Sequence, residues 1–170
     1  MTSGPVPSGP RVGWGFDAHR LDGSPPLKLG GVVVSETDGV TATSDGDVLA
    51  HAVTDALMGA CVLGDIGDHF PSDDPKMDDV DSVFLLRQAA TMATAAGWRV
   101  SHVDVTVVAE NIRVSPHKAA ITSRLADALA TPLDVISVKA TTTDGLGFIG
   151  KGEGLAAIAL VTIEPIGAPA

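Results

Sequence analysis

The chain has 170 residues, 45% of them hydrophobic, which suits one domain with a sizeable core. Its 21 acidic residues against 11 Lys+Arg give a formal net charge of −10, which argues against nucleic acid or an anionic membrane as partner. The single cysteine, Cys61, excludes an intrachain disulfide and fits a reducing cytoplasm, and the longest apolar run, 155–161, is far too short to span a bilayer.

Residues 1–10 are rich in Gly, Pro and Ser and lack an apolar core. They are expected to form a disordered tail rather than a signal peptide, ahead of a domain at 11–165. Residues 11–16 read as a strand, running into Gly13-Trp14-Gly15-Phe16-Asp17-Ala18-His19. In an extended chain, side chains two apart share a face, so Asp17 and His19 point the same way. A carboxylate beside an imidazole can hold a divalent cation such as zinc, given a third ligand. His51, on a predicted helix, is the candidate. Three protein ligands leave one tetrahedral position open, as in catalytic zinc sites.

Residues 27–34 have strand character, and Gly30-Gly31 suggests a bulge or a close backbone approach. Ser44 is placed to cap a helix, with Asp47 reaching back as in a capping box. Val48, Leu49, Ala52, Val53, Ala56, Leu57 and Ala60 follow at helical spacing. On that helix Asp55 shares a face with His51 and is expected to fix its tautomer. Residues 64–71 read as a loop. The acidic run Asp73, Asp74, Asp78, Asp79 and Asp81 opens a helix at about 82–96, with Phe84, Leu85, Ala89 and Met92 on its apolar side. Residues 99–109 alternate, with Val103, Val105 and Val107 on one face and Asp104 and Thr106 on the other. Ser115-Pro116 opens a helix that continues to Ala130. A strand at 135–140, a loop at 141–154 and a buried strand at 155–163 close the chain. This order predicts a single α+β domain: a mixed four-stranded sheet plus a small hairpin, with helices on one face.

Two further segments suit an anion. Thr141, Thr142, Thr143 and the glycine-freed backbone around Gly145 and Gly147 could cradle phosphate oxygens, flanked by Lys139 and Lys151. Asp144 could hold a hard cation such as magnesium against those oxygens. Residues 109–115 end a strand and feed a helix N-terminus, a geometry suited to anions. The residues alone therefore point to metal-assisted phosphoryl chemistry, with the substrate unnamed.

Six motifs occur in order: G-F-D-x-H at 15–19, S-D-G-D-V-x-x-H at 44–51, T-D-A-L at 54–57, G-D-I-G at 64–67, K-A-T-T-T at 139–143 and G-E-G at 152–154. With them the chain resembles the 2-C-methyl-D-erythritol 2,4-cyclodiphosphate synthases, lyases of non-mevalonate isoprenoid synthesis, over 11–163. The resemblance implies a homotrimer with active sites between adjacent subunits. Asp17, His19 and His51 of one subunit would hold zinc; Asp144 would hold a magnesium or manganese ion bridging the diphosphate. The implied substrate is a cytidine diphosphate ester of methylerythritol carrying a second phosphate. That phosphate attacks the β-phosphorus, closing a cyclic diphosphate and releasing cytidine monophosphate. Thr43 and Thr142 would be catalytic. Asp65, Gly67, Phe70 and Asp74 would line the sugar-phosphate end, Ala109, Arg113, Ser115, Thr141 and Thr142 the neighbouring subunit's cytidine pocket, and Ser44 and Ile66 would bind substrate. Thr143, Phe148 and Lys151 would also contact substrate.

Five positions depart from the family pattern. Thr43 stands for its usual histidine, Asp144 for glutamate, Ser72 for aspartate, Lys151 for arginine and Ile149 for threonine. Thr43 and Ser72 favour an alternative: a trimeric metal- and nucleotide-binding protein with weak or lost turnover.

Overall fold

A computed structural model describes residues 9–167; the expected tail at 1–10 lies almost wholly outside them. β1 spans Arg11–Arg20, past its expected end at residue 16, because it stays paired with β6 through Asp17↔Ala157 and His19↔Leu155. β2, Leu27–Leu29, and β3, Val32–Ser35, form the small hairpin. The expected single strand at 27–34 is thus two strands. Gly30 and Gly31, at φ 58° and 72°, make the turn between them, a conformation glycine adopts without steric cost.

α1, Val48–Cys61, is the central helix, with Val48, Leu49, Val53, Leu57 and Met58 fully buried. Its cap is Asp47, not Ser44. The buried Asp47 carboxylate accepts from Leu49 N at 3.1 Å and Ala50 N at 3.0 Å, and from Gly31 N at 2.7 Å. One side chain therefore caps the helix, worth about 1 kcal/mol, and fastens the hairpin turn to it. Burial pushes this carboxyl above its usual range, and the backbone N–H groups oppose that.

α2, Ile66–His69, is a short helix where a loop was expected, closed by a capping box between Asp65 and Asp68. α3, Ser82–Ala95, matches its expected span and buries Leu85, Leu86 and Ala89, but Phe84 is half exposed rather than core. β4, Trp98–Val108, turns Val103, Val105 and Val107 inward as the alternation predicts. Ser115–His117 forms a 3-10 turn without a side-chain cap; α4 then runs Lys118–Leu129. β5, Ile136–Thr141, is followed by one helical turn, α5, Gly147–Gly150, inside the expected loop. β6 is Gly154–Pro165.

The four-stranded sheet has the order β1-β6-β4-β5. Its first two pairings are antiparallel and β4–β5 is parallel, giving the expected mixed sheet. α1 packs on β1 and β6, and α4 on β5. The closeness of α1 to β1 depends on Gly13 and Gly15. A Cβ on Gly13 would overlap the Ala56 carbonyl oxygen and lie 2.7 Å from Ala60 N; one on Gly15 would overlap the Ala52 carbonyl oxygen and lie 2.7 Å from Ala56 N. The opposite face of β1 is bare: Val12, Trp14 and Phe16 are exposed, with the two aromatic rings stacked at 6.2 Å.

Candidate metal centre and flanking cavities

Gly13, Gly15, Asp17 and His19 share one face of β1. The glycines bring α1 against the strand, and Asp17 and His19 then meet its first turn, which carries His51. His51 Nδ1 lies 3.0 Å and His19 Nδ1 3.3 Å from the same oxygen, Asp17 Oδ2. One ligand atom from each residue lies within 4.8 Å of the others, so the three could hold a metal ion. The donor set fits a borderline divalent cation: two imidazole nitrogens and one carboxylate. His19 Nδ1 is also buried and makes no hydrogen bond, so it has a lone pair or proton to place. Burial alone would raise the Asp17 carboxyl; the close imidazoles of His19 and His51 outweigh it and hold the group well below the usual carboxylate range. The same contact raises the His19 imidazole above its usual value, against burial.

Asp55 does not set the tautomer of His51. Its carboxylate accepts from Ile66 N at 2.9 Å, holding the start of α2. The second ring nitrogen of His51 instead meets Ser82 Oγ at 2.9 Å and Ser44 Oγ at 3.2 Å. Ser82 was not legible as part of the site, since nothing in its spacing links it to His51.

A cavity of about 300 Å³ borders His51, lined by Thr43, Ser44, Ile66, Gly67, Phe70, Ser72 and Met77 among others. Five expected site residues, Thr43, Ser44, Ile66, Gly67 and Phe70, meet there. Asp65 is engaged with Asp68 N at 3.0 Å, and Asp74 lies in the turn after α2; neither lines the cavity.

A second cavity, of about 430 Å³, is lined by Ala109, Glu110, Ile112, Arg113, Ser115, Thr141 and Thr142 among others. Beside it, Thr143 N and Oγ1 lie 3.3 and 3.5 Å from Glu110 Oε2. Thr142 Oγ1 donates to Asp144 Oδ1 at 3.2 Å. Phe148 is half exposed and Lys151 exposed. Lys139 does not join this loop: its Nζ pairs with Asp104 Oδ2 at 2.7 Å.

The metal triad and the second cavity sit at the same end of the sheet, where His19 pairs with Leu155 and Val108 with Thr141. The metal ligands Asp17 and His19 and the second cavity's Thr141 lie on the opposite edge strands, β1 and β5, three inter-strand spacings or roughly 14 Å apart.

The sequence model of the YgbB family matches residues 10–164, nearly all of the described chain. The chain belongs to the YgbB family. Among YgbB relatives, the 2-C-methyl-D-erythritol 2,4-cyclodiphosphate synthase of Xanthomonas axonopodis pv. citri is 48% identical over 159 residues, covering 94% of this chain and 96% of that one. The enzyme of the same name from Syntrophomonas wolfei is 49% identical over 154 residues, covering 91% and 98%. The solved bifunctional IspDF of Campylobacter jejuni superimposes with a TM-score of 0.91 at 41% identity, over 95% of this chain and 44% of that longer one. The CDP complex of Plasmodium falciparum IspF gives 0.80 at 31% identity, over 92% and 97%. The expected family, α+β fold and cyclodiphosphate synthase role in isoprenoid biosynthesis are borne out by these YgbB likenesses. Among the described residues, no helix is long and apolar enough to cross a membrane.

Proposed function

We propose that the protein closes 2-C-methyl-D-erythritol 2,4-cyclodiphosphate from 4-diphosphocytidyl-2-C-methyl-D-erythritol 2-phosphate, at a site completed by a neighbouring subunit. An oxygen of the 2-phosphate forms a bond to the β-phosphorus, the bond from that phosphorus to the bridging oxygen breaks, and cytidine monophosphate leaves with that oxygen. The observation that carries this reading is the separation of the metal triad from the second cavity. Each is half a site: the triad and the second cavity lie on opposite edges of one sheet, so a neighbouring subunit that sets its second cavity beside this triad would complete what one chain leaves divided.

Zinc held by Asp17, His19 and His51 would supply positive charge to phosphate oxygens, and magnesium or manganese at Asp144 would do the same at the diphosphate. The chain's own residues do the positioning. Ser44, Ile66, Gly67 and Phe70 hold the methylerythritol end, with Asp65 and Asp74 shaping the α2 segment. Ala109, Arg113, Ser115 and Thr141 take the cytidine end, beside Thr143, Phe148 and Lys151. The Thr142 hydroxyl orients Asp144 and stands by the leaving phosphate. The buried, unbridged Cys61 suits a reducing cytoplasm.

Incubation with the cytidine substrate, zinc and magnesium should yield the cyclic diphosphate and cytidine monophosphate in equal amounts. Tight binding without turnover, or release of free phosphate, would reject the reading.

A homotrimer follows from the same reading. The exposed Val12, Trp14 and Phe16 of β1, with Leu160 of β6, form an apolar surface of the kind that marks an interface. The other face of β6 is not available for this contact, because Leu155, Ala157, Ala159, Val161 and Ile163 are buried in the chain's own core. Light scattering at micromolar concentration should give the mass of three chains. Trp14→Asp, which places a charge at the centre of the patch, should give monomers of unchanged helix content.

Thr43 lines the first cavity where the family's histidine would donate toward a phosphate oxygen. Removing one such donor costs about 10²–10³ in rate. Threonine keeps a shorter, neutral donor, so Thr43→His should raise the cyclisation rate about tenfold on that scale, with zinc content unchanged. An unchanged rate would assign the donor role to backbone N–H groups.

A further inference from the structure

The metal-site reading leaves a cluster behind His51 without a role. Ser82 is fully buried and meets the edge of His51 turned away from Asp17, and the Asp45 side chain, 9% exposed, lies behind Ser82. Ser82 Oγ is 2.9 Å from His51 Nε2 and makes a short hydrogen bond to Asp45 Oδ1. Asp45 Oδ1 also accepts from Ser82 N at 3.2 Å, and Lys28 Nζ lies 3.5 Å from Asp45 Oδ2.

We propose that Ser82, backed by Asp45, is a positioning residue that holds His51 in the Nε2–H tautomer and so presents its Nδ1 lone pair to the metal. The inference rests on the metal-site reading and follows from donor counting. A carboxylate only accepts, so the one hydroxyl hydrogen of Ser82 goes to Asp45. The Ser82 oxygen is then left as an acceptor, and His51 Nε2 must donate to it. In a neutral imidazole that leaves Nδ1 unprotonated, 3.0 Å from Asp17 Oδ2. With zinc bound, that lone pair and the Asp17 carboxylate both turn to the ion; without it, a second ring proton fills the same gap. Ser44 Oγ, 3.2 Å from Nε2 and accepting from Gly46 N at 3.3 Å, is a second acceptor for the same N–H. The relay supplies, through a hydroxyl, the carboxylate that commonly fixes a metal-bound histidine. It also ties the ligand to β2 through Lys28.

The helix start does not depend on the Ser82 hydroxyl, because α3 is capped by Asp81, which accepts from Val83 N at 2.9 Å. Ser82→Ala therefore isolates the relay. In the wild-type chain labelled with ¹⁵N-histidine and loaded with zinc, long-range ¹H–¹⁵N correlation should show His51 as the Nε2–H form, the signal being assigned by its loss in His51→Ala. Competition with a chromophoric chelator should show zinc held about 10–100-fold more weakly by Ser82→Ala. A zinc-loaded His51 carrying its proton on Nδ1, or a folded Ser82→Ala with wild-type zinc affinity, would overturn the proposal. Should Ser82→Ala fail to fold, the wild-type tautomer decides alone. A wild-type chain that binds no zinc through His51 would instead remove the metal site itself, and the relay with it.

Discussion

His51→Ala is expected to purify without the roughly one zinc per chain that a three-ligand site holds. Only Asp17 and His19 remain, both on β1, and two donors from one strand do not close a tetrahedral site. Loss of the ion removes several kcal/mol of charge stabilisation, on the order of 10³-fold or more in cyclisation rate. The fold should survive. His51 sits near the surface of the first turn of α1, and the hydroxyls of Ser44 and Ser82 can turn to each other across 3.5 Å. The cost in stability should be about that of a hydrogen bond or two, roughly 1–3 kcal/mol. Metal analysis of the purified variant, with product assay and thermal unfolding, checks all three. Stoichiometric zinc in His51→Ala would refute the ligand assignment.

Gly15→Ala should damage the protein more than its single methyl group suggests. The added carbon would overlap the Ala52 carbonyl oxygen and approach Ala56 N, both backbone atoms of α1. No rotamer relieves a clash with a helix backbone, so α1 must lift from β1. Overpacking typically costs about 1–3 kcal/mol, and this case belongs at or above the upper end. At about 2–4 °C per kcal/mol, the melting temperature should fall by roughly 10 °C. The lifted helix also carries His51 away from Asp17 and His19, so zinc affinity should fall in the same variant. A Gly15→Ala protein with the wild-type melting temperature would mean that α1 does not rest on β1 as described.

Much of this architecture is legible in the sequence because burial imposes a period. The valines of β4 alternate with Asp104 and Thr106, and α3 repeats its apolar residues at helical spacing. The site breaks those periods, and the errors gather there. Asp17 and His19 occupy the inward face of β1, where apolar residues are expected, so the apolar pattern stops at residue 16 while the strand runs on to Arg20. The S-D-G-D segment offers several capping groups. Asp47 wins because its carboxylate reaches two N–H groups of α1 and one of the hairpin, whereas Ser44 is turned toward His51. α2 and α5 span four residues each, too few to show a period. The contact of Ser82 with His51 joins separate elements, and pattern along the chain carries no trace of it. Asp45 lies inside a recognised motif, yet its part emerges only when Ser82 is seen between it and the imidazole.

The position of β6 has a consequence for how the chain is made. This strand, last in order among the described residues, lies between β1 and β4 and pairs with both. Arg11 waits for Ile163 and Arg20 for Gly154, so nearly the whole chain must leave the ribosome before β1 has a neighbour. Such long-range closure is slow, and it leaves two strand edges open to aggregation in the meantime. Asp17 and His19 ride on β1, so a nascent chain cannot assemble the metal ligands early. Any truncation reaching into β6 would separate β1 from the rest of the sheet, rather than trim a terminus.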